Sequence, residues 1–391
     1  MKIAVVGSRG VPATFGGIEK HCEEIYSRLV QMGHFVTIYA RKGYIDNRIN
    51  EYKGIKIKPL WTFKSKHLEA TFHTFWALLH AVFSDADIIH FHAQGPCLFA
   101  WIPKLLSPNK KLIFTCHGID WQRNKWNFLA SNIIRLGEIF SATFFDTQIT
   151  VSKSLEEYYR NKYSINPITI INGVTISSIK ELELIKEKFG LNEKDYLLFV
   201  GRLVPEKAPH KLIEAYKQTK TEKKLVLVGG SASTDSYVAH LKDLAKDDKR
   251  IIFTSYLYGD ELKEIYSNAY LYVSTSELEG LPLTLLEAMS YGIPVLSSPI
   301  PPHIEVIGKN EEYGYLFNSE KVSDIKEKLE FILSQPQLDL IKKGLKGQER
   351  IRTQHNWESI TKKLEIVYNF TRRNKNSDKL TTTIKRRFAL T

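Results

Sequence analysis

Short apolar runs alternate with stretches of helical period along most of this chain, and the runs commonly end on glycine, serine, histidine or proline. Residues 1–7 read as a buried strand, followed by the loop Gly7-Ser-Arg-Gly-Val-Pro-Ala-Thr-Phe-Gly-Gly17. The next helix places Ile18, Cys22, Ile25, Leu29 and Val30 on one face and stops at Gly33, before a strand at 35–39. Further strands are expected at 88–91, 112–116, 147–151 and 169–171, with a hairpin or edge strand at 51–61 and helices at 70–83 and 130–140. Ser152 reads as a helix cap. After a charged link at 177–194 the alternation resumes, with strands at 196–200, 225–228, 251–254, 270–273, 295–297 and 315–317. Helices are expected at 211–217, 240–246, 260–267, 322–334, 339–353 and 357–371, and Glu305-Val-Ile precedes a loop. Strands alternating with helices predict an α/β fold with mainly parallel sheets.

One stretch concentrates chemistry. Ser274-Thr-Ser-Glu-Leu-Glu-Gly-Leu-Pro-Leu-Thr-Leu-Leu-Glu-Ala-Met-Ser-Tyr-Gly-Ile-Pro-Val-Leu-Ser-Ser298 reads as strand end, acidic loop, short helix and second strand. Pro282 fits the first helical position, and Gly292 closes the helix before Pro294. Thr284, Glu287 and Tyr291 form one polar stripe on an otherwise apolar helix. A carboxylate there requires a partner, because an unpaired buried charge is costly. Glu279 lies just before the helix, where free backbone N–H groups can hold an anion. The outline is that of a site for a negatively charged ligand carrying hydroxyls.

Composition narrows the class. The 391 residues are too many for one ordinary core and imply two domains. The formal charge is +12, and the excess sits in the front half and the last twenty residues, leaving the middle slightly acidic. Basic surface can serve nucleic acid, anionic lipid or a phosphorylated substrate. No nucleic-acid binding module is recognisable, so nucleic acid is not an expected partner. Three scattered cysteines (Cys22, Cys97, Cys116) argue for a reducing compartment, and no ligand spacing suggests a structural zinc. The chain opens directly on a strand and holds no uncharged run of the roughly 20 residues that a membrane span needs. A cytoplasmic protein is expected.

The other candidate groups lie at strand ends. The loop 7–17 lacks Gly-x-Gly-x-x-Gly, which argues against a dinucleotide site and with it an oxidoreductase. Gly16-Gly17 before a helix reads as a close-approach anion loop, a ligand-free loop being the plain alternative. Asp85-Ala-Asp87 matches a metal-holding pattern but precedes its strand, at the end where ligands do not bind. His117 follows a buried strand, with Asp120, Arg123 and Lys125 near in sequence, and reads as functional. His92, also at a strand end, stays open between a structural and a functional role. Arg202 and Lys207 leave a strand and flank a helix start, a sensible cradle for phosphate oxygens. The aromatic helix at 70–83 reads first as a cover for the sheet, with docking on a membrane surface as the alternative, and the basic segments 53–66 and 372–391 read as contacts for lipid or phosphate.

With these residues in hand, the chain resembles glycosyltransferase family 4, retaining enzymes of the GT-B fold, over about residues 1–371. The resemblance rests on Glu279 and Glu287, on "GRLVPEK" with Arg202 and Lys207, on Gly16-Gly17, and on His117-Gly118. The segments 7–19 and 117–126 look like a bacterial branch associated with rhamnosyl transfer in capsule and O-antigen assembly. It implies two Rossmann-like domains with a cleft between them: residues 1–176 for the acceptor, 177–356 for the nucleotide-sugar. Helix 357–371 would cross back to the first domain, ahead of a basic tail at 372–391. It further implies that Arg202, Lys207 and the helix end at Gly280, Leu281 and Pro282 hold the leaving diphosphate, so that no metal or other cofactor is required. Glu287 would hold the ribose, Glu279 would position the sugar, and His117 would hydrogen-bond it. His92, Asp120, Arg123 and Lys125 are the acceptor-side candidates, for a polyprenyl-diphosphate-linked saccharide at an anionic membrane surface. The alternatives are a sugar-nucleotide epimerase of the same fold and a glycosyltransferase using a different hexose donor. Two positions depart from the family pattern: Ala208 stands where glycine is usual, and Ser255-Tyr-Leu-Tyr258 replaces a glycine-led turn.

Overall fold

The computed structural model describes residues 1–14, 16–62, 69–123, 126–232, 234–319 and 321–373. It divides into two units, one running to Asn172 and resuming at Trp357, the other spanning Gly173–Asn356. The division falls just ahead of the 176/177 boundary read from the sequence.

The first unit runs β1 (Lys2–Val6), α1 (Gly17–Gln31), β2 (Phe35–Arg41), β3 (Glu51–Tyr52), β4 (Ile55–Leu60), α2 (Glu69–Val82) and β5 (Ile88–His92). It continues through α3 (Trp101–Leu106), β6 (Lys111–Cys116), α4 (Phe128–Thr143), β7 (Thr147–Thr150), α5 (Lys153–Tyr163) and β8 (Ile168–Thr169). The second unit holds α6 (Leu184–Phe189), β9 (Tyr196–Val200), α7 (Pro209–Gln218), β10 (Lys224–Val228), α8 (Asp235–Ala245), β11 (Ile251–Ser255) and α9 (Gly259–Ser267). It ends with β12 (Leu271–Ser274), α10 (Leu283–Ser290), β13 (Val295–Ser297), α11 (Pro301–Ile307), β14 (Tyr315–Leu316), α12 (Val322–Leu333) and α13 (Gln337–Gln354). The closing helix α14 (Trp357–Arg373) belongs to the first unit.

Among the described residues the first sheet has the order β3-β4-β2-β1-β5-β6-β7-β8, parallel except for the β3–β4 hairpin. Its central strands are apolar almost throughout because helices cover both faces. On one face Cys22, Ile25 and Leu29 of α1 and Ile360, Leu364 and Val367 of α14 pack on Ile3, Val5, Ile38 and Ile113. Thr371 of α14 also meets Thr147 of β7 through their hydroxyls at 2.8 Å. Phe91 and Phe114 both meet Phe145, which follows α4. The Ser152 cap forms as expected, its hydroxyl accepting the Leu155 N–H at 3.4 Å.

The second sheet, β11-β10-β9-β12-β13-β14, is all parallel. Two local differences from the sequence reading matter. Pro282 stands before α10 in an extended conformation (φ −77°, ψ 105°) rather than as its first residue. The stretch after Ser297 contains α11, whose leading Pro301-Pro302 supplies the φ a helix start needs.

Candidate active site

Ligands of open parallel sheets bind beyond the carboxyl ends of the strands, where the strand order reverses. In the second unit that reversal falls between β9 and β12. The loop after β9 carries Arg202 and Lys207, and the loop after β12 carries Glu279, Gly280, Leu281 and Pro282 into the amino end of α10. The two loops are laced together. The Thr275 hydroxyl donates to the Lys207 and Ala208 carbonyls at 3.0 and 2.9 Å, and the Glu277 N–H donates to the Glu206 carbonyl at 2.9 Å. Lys207 and Glu279 form a largely buried ion pair. Burial works to raise the Glu279 carboxyl, but Lys207, helped by His303, outweighs it and holds the group below the usual carboxylate range.

The polar stripe on α10 finds the partners its burial demands. Tyr266 donates to Glu287 at 3.2 Å, Tyr272 donates to Thr284 Oγ1 at 2.9 Å, and Tyr291 stacks on Tyr266 with ring centres 5.4 Å apart. One further group joins this neighbourhood. His303 of α11 is fully buried and hydrogen-bonded to Ser298 Oγ at 2.9 Å, and its Nε2 has no hydrogen-bond partner among the described residues. Burial, opposed by Glu279, pushes its ring down to about 4. The sequence reading passes over His303 because it assigns no element between Ser297 and Glu305. The Pro-Pro pair after a strand was the available signal.

The first sheet reverses between β1 and β5. A Cβ on Gly7 would come within 2.1 Å of the His92 carbonyl, so only glycine lets these two strand ends close up. Gly16 starts α1 at φ 105°, in a region that disfavours side chains. The loop between them folds back on α1: Glu19 accepts the Arg9 N–H at 3.1 Å, and Glu23 accepts the Ala13 N–H at 2.8 Å. Gly17 is the first helical residue.

Histidines from three elements meet at this edge. His117 Nε2 is hydrogen-bonded to His92 Nδ1 at 2.8 Å, and His92 Nε2 to the Tyr26 hydroxyl at 2.7 Å. The same hydroxyl lies 2.9 Å from His90 Nδ1, which also meets Tyr368 of α14 at 2.6 Å, and His90 Nε2 meets Thr115 Oγ1 at 2.8 Å. His21 packs edge-on against His117 and bonds Asn172 Oδ1 at 2.9 Å. Burial pushes the His117, His92 and His90 rings well below their ordinary range and His21 to about 4. A neutral imidazole has one donor and one acceptor nitrogen, so this chain ties the tautomer of His117 to those of His92 and His90. His92 therefore stands behind His117, fully buried, rather than at an acceptor surface.

The loop between β6 and α4 is held from below by Glu138, a fully buried carboxylate of α4. It accepts from Trp121 Nε1 (2.7 Å), Tyr158 (2.9 Å), Lys162 (2.6 Å) and Gln94 Nε2 (2.7 Å). Burial works to raise this carboxyl, and the bonds from Lys162, Tyr163, Tyr158 and Trp121 outweigh it and keep it low. Gln94 also accepts the Asp120 N–H at 3.0 Å, and Asp120 pairs with Arg123 at 2.9 Å. Asp120 and Arg123 thus meet each other, while Lys125 lies outside the described residues. Asp85 and Asp87 sit at the opposite end of β5, where Asp85 pairs with Lys2 and Asp87 accepts the Lys2 backbone N–H at 2.8 Å. Lys53 is paired with Glu23 at 2.9 Å. Lys64, Lys66 and residues 374–391 lie outside the described residues.

Residues 15–177 match the family model described as Glycosyltransferase Family 4, and residues 182–347 match that of Glycosyl transferases group 1. The chain is a GT-B glycosyltransferase. It is related to members of both groups. The capsular polysaccharide biosynthesis glycosyltransferase CapM of Staphylococcus aureus is 24% identical over 318 residues, covering 74% of this chain and 82% of CapM. Sucrose-phosphate synthase from Thermosynechococcus elongatus superposes with a TM-score of 0.81 at 20% identity, covering 94% of this chain and 98% of that one. Anabaena HepE in complex with UDP-glucose superposes at 0.78 and 16% identity, covering 94% and 99%.

In this glycosyltransferase the two departures from the family pattern have one geometry. Ala208 (φ 45°) and Ser255 (φ 63°) both adopt the left-handed conformation that glycine takes without cost. Among the described residues, the grouping able to hold a metal ion is His21, His92 and His117, whose ring nitrogens lie within 4.8 Å of one another. An ion there would displace the proton shared by His92 and His117.

The buried histidines give the glycosyltransferase a pH dependence. Their folded pKa values lie below the ordinary 6.5, so below that pH the unfolded chain binds protons that the folded one refuses. Stability is expected to fall as pH drops from about 6.5 toward 4, by up to about 1.4 kcal/mol per pH unit for each such ring. The depressed carboxyls of Glu138 and Glu279 add to the loss lower still. Urea midpoints at pH about 7 and about 5 check this, and equal midpoints would contradict it.

Proposed function

We propose that this glycosyltransferase moves a sugar, rhamnose in the first instance, from a nucleotide-sugar to a lipid-linked saccharide in surface polysaccharide assembly. Transfer retains the anomeric configuration and needs no metal. The observation that carries the reading is the ion pair of Lys207 and Glu279, which joins the loop that also carries Arg202 to the loop that enters the amino end of α10, at the β9–β12 reversal. A nucleotide diphosphate arriving there competes with Glu279 for Lys207. The two cations and the helix end then stabilise the charge that develops on the leaving diphosphate. Glu279, released from Lys207, takes hydroxyls of the sugar, and Glu287 those of the ribose. His117, neutral and with Nδ1 free of hydrogen bonds among the described residues, engages the transferred sugar. Attack on the same face within an ion pair accounts for retention, and no protein nucleophile is invoked. The role in polysaccharide assembly is supported by the CapM likeness, the donor class by that to UDP-glucose-bound HepE, and rhamnose by the segments 7–19 and 117–126.

A thermal-shift panel of nucleotide-sugars, followed by mass spectrometry of the product with and without a lipid-linked acceptor, tests this. One donor is expected to raise the melting temperature and to appear in an acceptor-dependent product whose yield survives EDTA. Isomerised or hydrolysed donor without acceptor would establish the epimerase instead, and a yield abolished by EDTA would overturn the metal-free reading.

A further inference from the structure

Two arginines meet at the carboxyl edge of the first sheet. Arg9 lies in the loop after β1 and Arg41 ends β2, and the Arg41 N–H donates to the Arg9 carbonyl at 2.7 Å. Gly10 lets the loop lie this close, since a Cβ there would come within 2.7 Å of the Ala40 Cβ. Arg9 turns toward the start of α1, with Nη1 3.9 Å from where a Cβ on Gly16 would stand and Cζ 5.9 Å from the centre of the Tyr44 ring. Arg41 is mostly enclosed, and its Nε is buried without a hydrogen-bond partner among the described residues. Burial and then Arg9 push this guanidinium below its ordinary range, and Glu69, Glu19 and Tyr44 offset only part of that. Glu19 is already engaged, accepting the Arg9 N–H at 3.1 Å. His73 of α2 lies close by and is fully buried. Neither of its ring nitrogens has a hydrogen-bond partner among the described residues, the nearby Ala40 carbonyl falling outside bonding geometry. Burial and Arg41 push its ring down to about 3, which leaves it neutral. A buried cation without a partner is costly, and buried polar groups left unpaired call for the group that completes them.

We propose that Arg9 and Arg41, with the buried His73 beside them, hold a phosphoryl group of the sugar acceptor. A guanidinium presents parallel N–H donors that match an oxyanion. One such fork satisfies a carboxylate, whereas two at one strand end match the three oxygens of a phosphoryl group. A neutral His73 adds one N–H donor. The position is also right, since ligands of parallel sheets bind beyond the carboxyl ends of the strands. The contrast with Asp120 and Arg123 is direct: those two pair with each other at 2.9 Å, while Arg41 forms no such pair among the described residues. The nucleotide-sugar's diphosphate has cations of its own in the second unit, Arg202 and Lys207, so the phosphoryl group held here is assigned to a diphosphate-linked saccharide acceptor. That assignment rests on the proposed function, whereas the oxyanion site itself does not.

Inorganic pyrophosphate is the probe. It is titrated calorimetrically into the full chain carrying Arg202→Ala, Lys207→Ala and Glu279→Gln, which disables the cradle of the second unit, and into the same chain with Arg41→Met added. The parent is expected to bind pyrophosphate, and the Arg41→Met protein to bind it at least about tenfold more weakly, the loss expected for a charge-assisted contact. Without pyrophosphate, Arg41→Met should melt higher than its parent, because methionine keeps the apolar stem and removes the unpartnered charge. A merely structural arginine would give the reverse. Equal binding by the two proteins, a parent that does not bind, or an Arg41→Met protein that melts lower would overturn the site. In the otherwise wild-type enzyme, Arg41→Met should raise KM for the lipid-linked acceptor about tenfold and leave that for the nucleotide-sugar unchanged. The opposite split would place the phosphoryl group on the donor and overturn the acceptor assignment. Binding and melting involve no turnover, so they report on the site even if the proposed function fails.

Discussion

Replacing Lys207 with alanine is expected to lower turnover by about a hundredfold or more, the usual cost of removing one group aimed at developing transition-state charge. The structure adds a complication that separates chemistry from folding. Lys207 is the ion-pair partner of Glu279, so Lys207→Ala leaves a largely buried carboxylate without its cation. Breaking a buried pair costs about 3–5 kcal/mol, and the single variant should melt earlier as well as work more slowly. The double variant Lys207→Ala with Glu279→Gln removes the stranded charge. Its melting temperature should recover toward the wild type while turnover stays low. A double variant with near-wild-type turnover would remove Lys207 from the catalytic account.

The second large effect is structural. Glu138→Ala should destabilise the protein by about 3–5 kcal/mol, because Lys162 loses its carboxylate and Trp121, Gln94 and two tyrosines lose a shared acceptor inside the fold. Because Gln94 also holds Asp120, the loop between β6 and α4 should loosen at the same time. Denaturant unfolding measures the first effect, and amide exchange of residues 118–123 the second. A Glu138→Ala protein with unchanged unfolding free energy would show that these bonds are replaced by water.

The parts of the candidate site that the sequence discloses are those built within one local segment. Arg202 and Lys207 follow a single apolar strand, and Glu279 and Glu287 flank or ride a single helix, so spacing alone brings out their chemistry. The histidine chain is different. Its members come from β5 (His90, His92), the end of β6 (His117), α1 (His21, Tyr26) and α14 (Tyr368), and only the sheet order places them together. Strand-end position singled out His92 and His117 but could not say that one stands behind the other. Glu138 went unread although the reasoning applied to Glu287 fits it equally: a lone carboxylate on an apolar helix needs partners. Periodicity tells which residues share a helix face, not which face turns inward. The hairpin at β3–β4, the two α/β units and α14 were legible because their apolar runs and glycine stops are strong. The helix α11 was not, being short and opened by two prolines that read equally well as loop.

We propose that the reversal between β9 and β12 holds a nucleotide diphosphate without a metal. Calorimetric titration of the wild type and of Arg202→Ala with a panel of nucleoside diphosphates, each in the presence of EDTA, tests it most directly. The wild type should bind at least one of them in EDTA, and Arg202→Ala should bind the same one at least about tenfold more weakly, the loss expected for a charge-assisted contact to phosphate. Equal affinities in the two proteins, or binding that disappears from the wild type in EDTA, would contradict the claim.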